Sequence, residues 1–206
     1  MKDNCRILVF GDSLAYGAWD SEGGWVERLK RMAHGRTIES GGVEKFQVLN
    51  LGIGGDTSRK ILARMEGEIL ARQSKSWENI LVFSYGVNDE RMVGGVSEVS
   101  LEELERNTRE IIAVARKYAD RVVFLEMPQL PFDEVEFKGK SYSDSRTQEY
   151  EARIESVVSE LGAEWVPTRG RFEEAGLENL YAYDNLHPND AGHEILAKAM
   201  AEKLRF

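Results

Sequence analysis

Ser13 stands in Gly11-Asp12-Ser13-Leu14-Ala15-Tyr16-Gly17, directly after the apolar run Arg6-Ile7-Leu8-Val9-Phe10. A serine hydroxyl is a poor nucleophile until a neighbouring base takes its proton, so a histidine and its orienting partner must be sought elsewhere. Both occur together far along the chain, in Asp184-Asn185-Leu186-His187-Pro188. His187 can take the Ser13 proton and return it to a leaving group. Asp184 can fix the tautomer of the ring and stabilise the imidazolium. A tetrahedral intermediate also needs donors aimed at its oxyanion. The backbone N–H groups of Ser13 and Gly55 open turns into helices, where amides are unpaired and the helix dipole favours negative charge. The Asn88 side-chain amide supplies a third donor. Together these residue types match acyl transfer through a serine.

Elements that could bring them together are readable from periodicity. Short apolar or alternating runs at residues 6–10, 46–51, 80–85, 122–125 and 164–166 predict five strands. Helical spacing predicts helices between them: residues 25–33, a segment after Asp56 or Thr57 as N-cap, and a segment opened by a Ser100/Glu103 capping box. A further helix follows Ser145 and Gln148, and the last runs over about 189–204. Strands alternating with helices imply right-handed crossovers, a parallel sheet and three α/β/α layers in one domain spanning residues 1–206. Ligands of such folds bind outside the carboxyl ends of the strands. Ser13, Gly55 and Asn88 follow three of those ends, so they should converge on one crevice with the 184–187 loop.

Gly11-Asp12-Ser13-Leu14, Gly55, Gly86-Val87-Asn88-Asp89 and Asp184-Asn185-Leu186-His187-Pro188 resemble the four sequence blocks of the SGNH, or GDSL, hydrolases. The resemblance covers nearly the whole chain. It implies a flavodoxin-like sheet of order 2-1-3-4-5, Ser13 as nucleophile, and Asp184 and His187 completing a triad. It also implies Ser13, Gly55 and Asn88 in an oxyanion hole. The family's members are esterases, lipases, thioesterases and carbohydrate deacetylases. Hydrolysis of short- to medium-chain esters or thioesters is therefore expected, with no organic cofactor. Gly55-Asp56-Thr57-Ser58 is similar to the second block of the thioesterase and lysophospholipase branch, and carbohydrate deacetylases look alike there. A carbohydrate O-acetylesterase, an acyltransferase and a catalytically idle binding domain are the alternatives.

Composition narrows the partners. With 27 Lys and Arg against 36 Asp and Glu, the net charge is −9, and no basic patch of the kind that displaces phosphate counterions is visible. Nucleic acid is not an expected partner, and the oligomeric state is not readable. No apolar run approaches the ~20 residues of a membrane span. The N-terminus lacks the ~7–15-residue apolar core of a signal peptide, so a cytoplasmic location is expected. Cys5 is the only cysteine, which excludes an internal disulfide. Asp184, His187, Asp190 and His193 recur at a spacing of three, but that string straddles a loop and a helix start and matches no ligand signature, so no metal is expected.

Other residues have quieter readings. Asp12 is expected to hold its turn, Gly52 and Gly54 to permit tight backbone without touching substrate, and His193 to pack or face solvent. His34, beside Gly35, reads as a helix-end cation. Candidate substrate-binding residues are Tyr16, Trp19, Tyr85, Met92, Met127, Gln129 and Leu186, each a neighbour of a catalytic strand end. The 127–144 stretch reads as a long irregular loop and a candidate lid.

Overall fold

In the computed structural model, which describes residues 4–205, alternation of side chains along the central strands sets the layering. Strands β1 (Asn4–Gly11), β2 (Lys45–Gly52), β3 (Glu78–Ser84), β4 (Arg121–Leu125) and β5 (Glu164–Val166) form one all-parallel sheet. Its order is β2-β1-β3-β4-β5, as the family resemblance implies. Ile7, Val9, Ile80, Val82 and Val123 point to one face, and Leu8, Phe10, Leu81, Phe83 and Phe124 to the other. The central strands β1, β3 and β4 are buried on both faces, which is why they read as continuous apolar runs.

Helices α1 (Ser13–Tyr16), α2 (Gly24–Glu39), α3 (Ser58–Arg72), α4 (Val87–Glu90), α5 (Leu101–Ala115), α6 (Asp144–Glu160), α7 (Arg169–Ala175) and α8 (Asp190–Leu204) follow in chain order. Trp25 and Leu29 of α2, Phe172 of α7, and Leu196 and Met200 of α8 cover the first face. Ile61 and Met65 of α3, Leu104 and Ile111 of α5, and Ile154 of α6 cover the second. Each such fully buried aliphatic or aromatic side chain contributes roughly 1.5–3 kcal/mol. Ring stacking ties the second face across strands, with Phe83 at 5.5 Å from Phe10 and 5.2 Å from Phe124.

Of the three N-caps read from the sequence, the one at Ser100 is made by the expected side chain. The Ser100 side chain accepts from the Glu103 N–H, and Asn189 from the N–H groups of Ala191 and Gly192. Thr57 occupies the N-cap of α3, yet the Asp89 carboxylate, not the Thr57 side chain, accepts the Ser58 N–H at 3.0 Å. Ser143 rather than Ser145 caps α6. His34 lies inside α2, not at its end, because the helix runs through Gly35 to Glu39.

The 127–144 stretch is not irregular throughout. Glu134–Phe137 and Lys140–Ser143 form an antiparallel hairpin closed by Lys138 and Gly139, both left-handed with φ of 51° and 71°. Met92–Val93 and Val96–Ser97 form a second around Gly94 and Gly95. Left-handed pairs of this kind suit the twist of two-residue hairpins. Met92 pairs with Ser141, joining the two hairpins into a four-stranded sheet beside the strand ends. Among the described residues, no helix is long and apolar enough to cross a membrane. The reading of the N-terminus also drew on residues 1–3, which lie outside the described residues.

Candidate active site

Gly11 stands in register with Gly52 on one side and Ser84 on the other, so three strands end level and deliver their next residues to one edge. The approach is close enough to demand glycine. A Cβ on Gly52 would lie 2.3 Å from the Tyr16 nitrogen, and one on Gly11 would lie 2.5 Å from the Ser84 carbonyl. Asp12 caps the short α1 by accepting the Leu14 N–H at 2.9 Å, holding the turn that presents Ser13.

Across the edge, the His187 ring lies between Ser13 and Asp184. Its Nε2 is 2.9 Å from Ser13 Oγ and its Nδ1 is 2.7 Å from Asp184 Oδ2. The other carboxylate oxygen accepts the backbone N–H groups of Leu186 and His187 at 3.1 and 3.0 Å. Burial alone would raise the Asp184 pKa, but these hydrogen bonds, that of the His187 ring foremost, outweigh it and hold the carboxyl at about 2. Asp184 is thus ionised at neutral pH, the state that orients an imidazole.

Trp19 donates its indole N–H to Asp184 Oδ2 at 2.6 Å, the same oxygen that faces the His187 ring. Its backbone sits at φ 67°, a region that a bulky side chain adopts only under constraint. The constraint is visible. Asp190 accepts the Ser21 N–H at 2.8 Å, Asp20 binds Arg28 at 2.9 Å, and buried His193 contacts the Ala18 carbonyl and Trp25 N–H, both at 3.2 Å. These contacts separate Asp184, His187, Asp190 and His193 into different tasks. Among the described residues, no group of three His, Cys, Asp or Glu is arranged to hold a metal.

Ser13, Gly55 and Asn88 all line the same cleft. Gly55 turns there with φ 81°. Asn88 Nδ2 donates to Asp12 Oδ2 at 3.0 Å and to the Asp56 carbonyl at 3.1 Å, while its Oδ1 accepts from Arg91 Nη1 at 2.6 Å. That last contact settles which end of the amide is which, since a guanidinium only donates. Beneath this layer burial raises three carboxyls: Asp12 to about 6, Asp89 to about 7 and Glu90 to about 7. Each is partly compensated. Asp89 accepts from the Ser58 N–H and hydroxyl, and Glu90 pairs with Arg146 at 2.9 Å.

The cleft measures about 350 Å³. Of the substrate-binding candidates, Tyr16, Trp19 and Leu186 line it. Tyr85 does not: it follows Leu81 and Phe83 onto the far face of the sheet, where its hydroxyl donates to Thr108 at 2.9 Å. Met127 is buried in the core under Gly86, where a Cβ would come 2.7 Å from its Cε. Gln129 receives the Tyr181 hydroxyl on its carbonyl, and Met92 is used in the hairpin sheet. Gly54 lines the cleft, whereas Gly52 serves only the backbone approach.

A family model described as the GDSL-like Lipase/Acylhydrolase family matches residues 9–195. The chain belongs to that family. It is a carboxylic ester hydrolase. The acetylxylan esterase of Geobacillus stearothermophilus is 27% identical over 170 residues, covering 78% of this chain and 73% of that protein. Among solved structures, that organism's acetylxylan esterase Axe2 has a TM-score of 0.77 at 22% identity, over 100% of this chain and 97% of its own. LAE5, an alpha/beta hydrolase enzyme from the metagenome of Lake Arreo, Spain, has a TM-score of 0.75 at 22% identity, over 96% and 93%. At such identities the likeness carries the fold.

In this acylhydrolase the cleft also takes residues that sequence reasoning missed: Val87, Arg91, Phe137, Lys138, Lys140 and Tyr142. Arg91 stands three positions after Asn88, and that nearness was a signal. The others arrive on the hairpin, whose Phe137 ring meets the His187 ring edge-on at 5.6 Å.

Proposed function

We propose that the chain hydrolyses short- to medium-chain carboxylic esters or thioesters through an acyl-enzyme on Ser13. The observation that carries this reading is the His187 ring, within hydrogen-bond distance of both Ser13 Oγ and Asp184 Oδ2. Ser13 Oγ attacks the ester carbonyl while its proton passes to His187 Nε2. The C–O bond to the alcohol then breaks, and His187 returns the proton to the departing oxygen. Water, deprotonated by the same ring, attacks the acyl-serine and releases the acid with Ser13 restored. Asp184 stays ionised throughout, matched to the imidazolium it faces.

The developing oxyanion takes the N–H groups of Ser13 and Gly55 and one N–H of Asn88. In the resting site that Asn88 hydrogen is given to the Asp56 carbonyl, at 3.1 Å the longer of its two contacts. An anion is the stronger acceptor, so the exchange favours the transition state over the resting site. Arg91, bound to Oδ1 of the same amide, keeps the donor end pointed inward.

Axe2 supports the roles by type. Its solved structures include catalytic mutants at a serine, an aspartate and a histidine, the aspartate three positions before the histidine, as Asp184 precedes His187. The small cleft and the acetylxylan esterase relative favour acetyl esters of carbohydrates as a specific form of the reading. Profiling 4-nitrophenyl esters of increasing chain length tests it. Highest kcat/KM on acetate, and a loss of at least about 10³-fold in Ser13→Ala, are expected. Background-level hydrolysis, unchanged in Ser13→Ala, would support a binding domain instead. Ester products formed with added glycerol, in place of free acid, would support an acyltransferase.

A further inference from the structure

We propose that the cleft accepts an ester whose alcohol portion carries an anionic group, a carboxylate or a phosphate, held against Lys138 and Lys140. The proposal rests on the ester-hydrolase reading above and adds the charge of the substrate to it.

Charge is distributed unevenly around this site. Acidic residues outnumber basic ones 36 to 27 over the chain, yet the side chains lining the cleft include Arg91, Lys138 and Lys140 and no Asp or Glu. The hairpin that supplies the lysines is sorted by face. Phe137 pairs with Lys140, and Val135 with Tyr142, on the side turned to the cleft and core. Glu134 and Glu136, paired with Ser143 and Ser141, alternate onto the opposite side. Successive strand residues point to opposite faces, so this placement is a property of the register.

The three cations are not equivalent. Arg91 is already matched by Glu98 at 2.5 Å and is engaged with Asn88. Neither Lys138 nor Lys140 lies within ion-pair distance of a carboxylate among the described residues. Lys138 Nζ instead sits 5.0 Å from the Phe137 ring centroid, a contact that steadies it at the rim. Two unmatched ammonium groups beside apolar Phe137 and Tyr142 create a positive potential in a protein of net charge −9.

Geometry also says which part of the substrate meets them. Phe137 packs on the His187 ring, and His187 must give its proton to the leaving oxygen. The hairpin therefore borders the leaving alcohol, while Gly55 and Asn88 serve the carbonyl oxygen. An anionic alcohol would place its charge on the lysines as its oxygen departs past His187.

Matched acetyl esters test this: acetylated glycerol 3-phosphate against acetylated glycerol, and acetylated methyl glucuronide against acetylated methyl glucoside. The expected result is a kcat/KM about fivefold higher for the anionic member of at least one pair, the size two exposed ion pairs supply. The phosphate and carboxylate pairs tell the two sources apart. In the double variant Lys138→Gln/Lys140→Gln the ratio falls to about one. In wild type it falls likewise as salt approaches about 0.5 M. A wild-type ratio of one or less in both pairs, or a ratio that survives the double substitution, would overturn the proposal. Failure to hydrolyse any of these esters, or 4-nitrophenyl acetate, would instead overturn the ester-hydrolase reading and this inference with it.

Discussion

Asp184 receives four hydrogen bonds, from the His187 ring, two backbone N–H groups and the Trp19 indole. The first three are local and follow from the Asp-Asn-Leu-His spacing, which is why the sequence made that pair legible. The fourth joins residues 165 positions apart and rests on a strained Trp19 backbone, so no local pattern announces it. Two substitutions separate the contributions. Asp184→Asn keeps the shape but removes the charge that fixes the ring, and kcat is expected to fall on the order of 10³-fold. Trp19→Phe keeps an aromatic ring and removes one hydrogen bond to a charged group, and kcat is expected to fall by about tenfold. Steady-state kinetics on one acetyl ester reads both. Tyr85 teaches a different lesson at this scale. Strand alternation places it with Leu81 and Phe83, away from the cleft, and that was readable from the period of two.

Elements divide by how local their causes are. The parallel strands, the capped α5 and the final helix α8 were legible because apolar runs and caps are properties of adjacent residues. The two hairpins were not, although Gly94-Gly95 is a turn signal, because their strands are two to four residues long and gain stability only by pairing with each other. Strand ends and α1 meet at glycines with no room for a side chain. Gly52→Ala should therefore lower stability on the order of 3 kcal/mol, since the nearest contact is backbone that cannot swing aside. Denaturant unfolding measures it. A variant as stable as wild type would mean that α1 can lift from the sheet without loss.

Burial of Asp12, Asp89 and Glu90 under the edge that carries Ser13 raises the pKa of each carboxyl, and the response of the whole molecule to pH follows. Their folded pKa values of about 6, 7 and 7 lie above the ordinary carboxyl range, so between roughly pH 4 and 7 the folded chain binds more protons than the unfolded one. Stability should therefore fall as pH rises through that window. Asp184 acts oppositely and lower down: its stabilisation is present above the unfolded carboxyl range and is lost as pH falls towards about 2. The melting temperature is expected to be higher near pH 5 than near pH 8, and Asp89→Asn should shrink the difference. A melting temperature that rises across this range would contradict the assignment of these carboxyls as buried and costly to ionise.

The central claim is that Ser13 is an activated nucleophile, and intact mass after incubation with a fluorophosphonate tests it most directly. Attack by Ser13 Oγ on phosphorus expels fluoride and leaves one covalent adduct. The account predicts a single adduct on wild type and none on Ser13→Ala, with both proteins folded by circular dichroism. A folded wild type that stays unlabelled, or a Ser13→Ala variant labelled as fully as wild type, would contradict it.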